Sequence, residues 1–243
     1  MIYLRLYLFF VIHYNTGMTP RLSLLLAFLL SVTGGLVFSQ NRADPLWNYN
    51  TGRDAEINGR RAEADSYYNE AVQICNLRIS RNIAAGDTYV VLTWALQRLR
   101  KYTDVISWGA RGLGLYPDEH RIVETMGEAY FYLENYDESL LYMQRFTNVV
   151  PRGERTSVAY FFIGEIHRLR EQFRHADIAY TTAVRLEPGV ALWWFRLGSV
   201  REAAGDYLQA IDAYERAIRI NSNYREAADG LARSRRQMTG GRE

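Results

Sequence analysis

The feature that most constrains this chain is a spacing. Pro117 and Pro151 stand 34 residues apart, Pro151 and Pro188 stand 37 apart, and Ser222 follows Pro188 by 34. A recurrence that long points to an architecture assembled from a repeated supersecondary unit. The unit is most legible at residues 191–224. Leu192, Phe195, Leu197 and Val200 recur at helical spacing, Gly205 and Asp206 interrupt them, and Tyr207, Ala210, Ile211, Tyr214, Ala217 and Ile218 resume the pattern. This predicts a helical hairpin with a glycine turn.

Numbering the unit from Ala191, Trp194 stands at position 4, Leu197 and Gly198 at 7 and 8, Gly205 at 15, Ala210 at 20, Tyr214 at 24 and Ala217 at 27. Small residues at 8, 20 and 27 let helix backbones approach, while large ones at 4, 7 and 24 fill the space beside them. A lone hairpin leaves its apolar side wet, so the pattern calls for stacked neighbours. The unit resembles the tetratricopeptide repeat, whose period is 34 residues. That resemblance implies an all-α, right-handed superhelical solenoid of about five helical hairpins with a C-terminal capping helix.

Five copies follow in register, at residues 45–78, 86–119, 120–153, 157–190 and 191–224, with a capping helix at 225–238. Asp44 and Pro45 open the first copy as an N-cap and a proline at the first helical position. Residues 79–85 read as an extension of the second helix, ended by Gly86. The second copy departs most, with Gly109 and Gly112 at positions 24 and 27, and Phe146 is the bulky neighbour expected to fill the space they leave. Residues 154–156 are three extra positions before the fourth copy. Gly127, Gly164 and Gly198, all at position 8, are each expected to face a neighbouring helix backbone.

Ahead of the repeats, residues 1–39 hold Arg5 and Arg21 and no acid, so the formal charge of +2 resides there and the rest of the chain balances. Nothing in that balance indicates nucleic acid as a partner. Arg21, the apolar run 22–32, Gly34-Gly35 and Ser39 have the layout of a secretory signal, with Met18 where such a segment would begin. Cleavage after Ser39 and export follow from that layout. The alternative is a retained N-terminal helix giving membrane association, since residues 22–38 approach spanning length. The single cysteine, Cys75, cannot form an intramolecular disulfide and reads as a small buried apolar residue.

No short metal-ligand spacing joins His13, His120, His167 and His175, and no G-x-S-x-G elbow occurs. His167, at an aromatic position of its repeat, reads as a core histidine. The Arg233, Arg235 and Arg236 cluster reads as cations complementing a helix C-terminus. The chain is expected to be non-catalytic, with no cofactor and no metal. The function that the family resemblance implies is that of a scaffold binding a peptide or protein segment, with a membrane-anchored assembly subunit as the alternative.

In the family, the binding groove is formed chiefly by positions 2, 5, 9, 12 and 13 of each first helix. Carried over, these give Tyr49 and Arg53, Trp94 and Arg98, Glu124, Glu128 and Phe131, Phe161 and Glu165, and Phe195. The Lys and Asn with which chaperone-binding members clamp a carboxylate are absent at positions 5 and 9. Aromatic residues around the Glu124–Glu128 pair would instead favour an apolar segment carrying Arg or Lys, anchored by Trp94, Phe161 and Phe195. The other arrangement packs those aromatics against neighbouring helices and moves the contact surface to the convex side or the ends.

Overall fold

The computed structural model describes residues 43–153 and 155–240, so the leader expected at 1–39 lies outside the described residues. Those residues are all-α: eleven helices and no strand, arranged as solenoid hairpins. They fall into two compact units divided after Ala84.

The first unit is one hairpin of α1 (Pro45–Ile57) and α2 (Arg61–Ser80). Asp44 caps α1 by accepting from the Leu46 amide at 3.3 Å, and Pro45 occupies the first turn, where no amide is needed. Tyr68, Ala64, Ala71 and Cys75 form the fully buried face of α2. Burial in this apolar stripe pushes the Cys75 thiol up to about 12, which leaves it an unreactive packing residue. The helix does not extend to Gly86. It ends at Ser80, Asn82 turns the chain with φ 56°, and Gly86 is the first residue of the next helix.

The second unit contains α3 (Gly86–Arg98), α4 (Tyr102–Leu115), α5 (His120–Tyr132), α6 (Tyr136–Val149), α7 (Thr156–Leu169), α8 (Phe173–Leu186), α9 (Ala191–Ala203), α10 (Tyr207–Ile220) and α11 (Arg225–Gly240). Each helix packs on the next, which makes a continuous stack. First helices also meet across hairpins, α3 with α5, α5 with α7 and α9 with α11, whereas α4, α6, α8 and α10 form no comparable row among the described residues. The stack is therefore tighter on the first-helix side, which is its inner face.

In the fourth and fifth hairpins the second helices bury mainly small residues plus one large ring. On α8 these are Ala176, Ala179, Tyr180 and Ala183; on α10 they are Ala210, Ala213, Tyr214 and Ala217. The rings rest on the position-8 glycines. A Cβ on Gly164 would sit 2.6 Å from the Tyr180 ring, and one on Gly198 would sit 2.7 Å from Tyr214. On Gly127 it would meet Met143 at 3.0 Å. These glycines thus make room for a partner side chain rather than for a partner backbone. Gly109 and Gly112 do not accommodate Phe146 either. Their near neighbours are Met126 and Ile122 for the first and Ile122 and Tyr89 for the second, while Phe146 joins a cluster with Val123, Met143 and Phe162.

Every turn between paired helices uses the left-handed region at position 15. Gly59 and Gly205 adopt it without a side chain, but Arg100, Glu134 and Glu171 adopt it with φ between 56° and 59°. A glycine would suit those three turns better. The capping helix runs to Gly240, two residues past the expected end, and presents Ala227, Gly230 and Ser234 to the stack. Its arginines do more than complement a helix end: Arg233 binds Glu202 and Arg235 binds Glu215.

Candidate functional site

Five first helices turn the same side inward in the second unit, so residues at equivalent positions form rows. Tyr49 and Arg53 belong to the first unit. There, Tyr49 is buried with its ring 5.8 Å from that of Tyr68, and Arg53 is exposed. The other eight candidate residues belong to the second unit.

Glu124 and Glu128, one turn apart on α5, are not open to solvent. They are 5% and 6% exposed, and the Arg155 guanidinium lies across both of them. Its Nε and Nη2 donate to Glu124 at 2.9 and 2.6 Å, and Nη2 also donates to Glu128. Gln97 of α3 donates to the other oxygen of Glu128. Burial, then the neighbouring Glu124 charge, pushes the Glu128 carboxyl well above the ordinary carboxylate range. The expected preference for a basic segment assumed an unoccupied acidic pair. Arg155 already occupies it, because the residues inserted between the third and fourth hairpins bring this arginine to the start of α7.

The arrangement recurs along the inner face. Glu165 of α7 accepts from the Tyr180 hydroxyl and pairs with Arg168 at 2.8 Å and with Arg196 of α9 at 3.0 Å. Glu202 of α9 accepts from the Tyr214 hydroxyl at 2.6 Å and pairs with Arg233 of α11 at 2.8 Å. Burial raises the Glu202 carboxyl, but hydrogen bonds from Arg233 and Tyr214 outweigh it and hold the group below the usual range. Burial and the adjoining carboxylates raise both tyrosine hydroxyls, so they stay protonated and donate. In the first unit Tyr68 likewise donates to Glu56 at 2.8 Å, and Arg61 pairs with that carboxylate.

The aromatic residues divide between packing and exposure. Phe131 meets Phe162 edge-on at 5.0 Å, Phe161 stacks on Trp193 at 5.4 Å, and Phe195 lies 5.1 Å from Tyr224. These three rings thus lean on neighbouring helices while remaining half-buried. Trp94 and Arg98, one turn apart on α3 at one end of the row, are half-buried too. At the other end, Glu202, Tyr207, Arg233, Arg236 and Gln237 line a shallow cavity of about 300 Å³. His167 is a surface residue rather than a core one: its Nδ1 lies 2.7 Å from Gln172 and its ring stacks on His175. Among the described residues, no cluster of three or more His, Cys, Asp or Glu is placed to hold a metal, and no helix is long and apolar enough to cross a membrane.

Residues 170–228, which span α8 to α10 and the start of α11, match the family model described as tetratricopeptide repeat. That stretch is similar to the tetratricopeptide repeat. A curated relative, protein O-mannosyl-transferase TMTC1 of Homo sapiens, is 24% identical over 177 residues, covering 72% of this chain and 19% of the relative. The chain thus spans about a fifth of that protein's length. Among solved structures, the MamA protein superposes with a TM-score of 0.58 at 18% identity, covering 63% of this chain and 82% of its own. YrrB, titled a TPR protein with an unusual peptide-binding site, superposes with a TM-score of 0.52 at 16% identity, covering 80% and 95%. At these identities the likeness speaks to the tetratricopeptide fold.

Two arginines of the inner row, Arg155 and Arg196, fall outside the groove positions that the family pattern supplies. The break in period at residues 154–156 was the one signal in the sequence for Arg155. For Arg196, at position 6, there was none.

Proposed function

We propose that this protein is a non-catalytic interaction scaffold whose second unit binds an extended segment of another protein along its inner, first-helix face. The observation that carries this reading is the row of inward-facing side chains on α3, α5, α7, α9 and α11, held in fixed positions by ion pairs and tyrosine hydroxyls. A preorganised row loses little entropy on binding, which favours recognition of an extended chain. The peptide-binding title of YrrB supports the same reading. The transferase activity in the name of the curated relative is not carried over, since the chain spans only a fifth of that protein.

The export reading stays with this proposal: the 1–39 leader would deliver the scaffold outside the cytoplasm, and N-terminal sequencing of protein recovered from the envelope or medium tests it. A mature start near Gln40 supports cleavage, and retention of residues 22–38 in a membrane fraction favours the anchored alternative.

The face itself is tested with peptides of about 12 residues selected from a random display library, long enough to span several repeats at about 3.3 Å per extended residue. Trp94→Ala should weaken the selected peptides about tenfold, while an outer-face pair, Leu141→Ala with Ile178→Ala, leaves them unchanged. Leu141 and Ile178 are 59% and 67% exposed on α6 and α8, so they report the opposite surface. Loss of binding in the outer pair alone would place the contact surface on the convex side.

A further inference from the structure

The inner face sorts its charges by depth. In the pairs that line it, the carboxylates of Glu124, Glu128 and Glu165 have side chains 6–8% exposed, and Glu202 is 18% exposed. The guanidinium partners are consistently nearer solvent: Arg155 is 47% exposed, Arg168 26%, Arg196 31% and Arg233 51%. The floor is therefore a charged layer with its negative side buried and its positive side outward. An incoming chain meets guanidinium groups first.

A guanidinium carries five N–H donors, and a two-pronged contact with a carboxylate uses two of them. At Arg233, whose Nε and Nη2 donate to the two oxygens of Glu202, donors remain to be shared with a second acceptor, and the pairing fixes the plane in which they point. Lysine would not do this, because its ammonium is a point charge on a flexible stem. Here the fixed groups come from three successive levels of the stack: Arg155 and Arg168 at the two ends of α7, Arg196 on α9 and Arg233 on α11. On the same helices, Phe161 of α7 and Phe195 of α9 present half-buried rings that offer apolar surface. Arg98, at the end of α3, adds its charge beside Glu128.

We infer that the segment bound by this face is acidic, with Asp or Glu side chains received by the exposed edges of Arg196 and Arg233 and with apolar side chains seated on Phe161 and Phe195. This rests on the inner-face reading given above. It reverses the charge preference that the sequence alone suggested, because the acidic pair behind that preference is spent on Arg155. Electrostatic complementarity of this kind acts strongly on association and on choice of partner.

The test uses the full chain and three fluorescein-labelled 12-residue peptides with alternating Phe and Gly at every second position. The positions between carry Glu in the first peptide, Lys in the second and Gln in the third. Fluorescence anisotropy should show the Glu peptide binding at least tenfold tighter than the Lys and Gln peptides, with affinity falling severalfold between 50 and 500 mM salt. Arg233→Gln, at the most exposed of these arginines, should lower affinity for the Glu peptide about fivefold and leave the Gln peptide unchanged. The salt series and the peptide ranking need no substitution, so they hold if that variant folds poorly. A Lys or Gln peptide that binds as well as the Glu peptide, yet is weakened by Trp94→Ala, overturns the charge assignment and keeps the inner-face reading. A ranking that Trp94→Ala leaves untouched for every peptide overturns both. A single-stranded 12-mer oligonucleotide that binds tighter than the Glu peptide overturns the acidic segment as the occupant.

Discussion

Tyr180 and Gly164 share one space: the ring of the tyrosine on α8 lies where the glycine on α7 has no side chain, 2.6 Å from where a Cβ would stand. The ring cannot retreat cheaply, because its hydroxyl is tied to Glu165 on the same helix as the glycine. Gly164→Ala should therefore lower stability by about 1–3 kcal/mol through overpacking. Gly114→Ala, where no atom lies within 4 Å of the added carbon, serves as the control. Gly114 is inside α4, so the change there should add up to about 1 kcal/mol. Urea denaturation of the two variants separates the effects, and equal midpoints would contradict the packing described.

The left-handed turns give a prediction of opposite sign. Glu134 and Glu171 adopt φ of 59° and 56° with full side chains. For a residue with a Cβ that region costs about 1–2 kcal/mol, part of which a glycine returns through its freer unfolded chain. Glu134→Gly should raise stability by about 0.5–1 kcal/mol, read from the same denaturation curves. A loss instead would mean that the Glu134 side chain supplies more than the turn costs.

Arg155 holds two buried carboxylates together, so its removal leaves negative charge without a partner. Arg155→Ala should destabilise the second unit by about 1–3 kcal/mol, less than for breaking a fully buried pair because the guanidinium is 47% exposed and Gln97 still donates to Glu128. Adding Glu124→Gln and Glu128→Gln to it should recover much of that loss, because the uncompensated charge is then gone. A triple variant no more stable than the single one would show that the loss came from packing of the arginine stem.

Protonation of Glu128 sets a pH dependence whose sign follows from linkage. Its folded carboxyl is raised above the ordinary value of 4.5, so the native state holds this proton in a window where the unfolded chain has released it. Stability should then fall as pH rises from about 4.5 toward the raised value. Glu119 and Glu202 act in the opposite direction, since both are held low and contribute stability that is lost as pH falls below 4.5. Glu128→Gln should remove the decline above pH 4.5 and leave the acid limb in place. An unchanged slope above pH 4.5 in that variant would assign the decline to other groups.

Much of the hairpin architecture was legible because packing is periodic. Small residues at positions 8, 20 and 27 and a ring at 24 recur with the helix contacts they serve, so Ala176, Tyr180 and Ala183 could be placed from one aligned copy. Charge was harder to read. Glu124 and Glu128 sit at groove positions and look like surface carboxylates in the sequence. What buries them is Arg155, which lies 27 residues from Glu128 and reaches the pair only through the path of the inserted loop. Phe161 and Phe195 show the same difficulty in milder form. Position 5 of the repeat places them on the inner face, but whether a ring stands free there depends on Trp193 and Tyr224 in the following helices. Periodicity reports which side of a helix a residue is on, and depth on that side is set by residues far away in the chain.

The inner edge of the stack is fastened largely by charge. Between hairpins, Gln97–Glu128, Arg155–Glu124, Arg196–Glu165 and Arg233–Glu202 close the inner edge, while the outer helices are joined to it through alanines, rings and the ion pairs Arg201–Asp177 and Arg235–Glu215. Electrolyte acts on the exposed guanidinium side of these pairs and much less where the carboxylates are buried, so Arg233–Glu202, the most exposed of them, should respond first. The C-terminal end of the second unit, where α11 is held by that pair, should therefore be the part of the stack that loosens first in concentrated salt, and hydrogen exchange of α11 amides would show it.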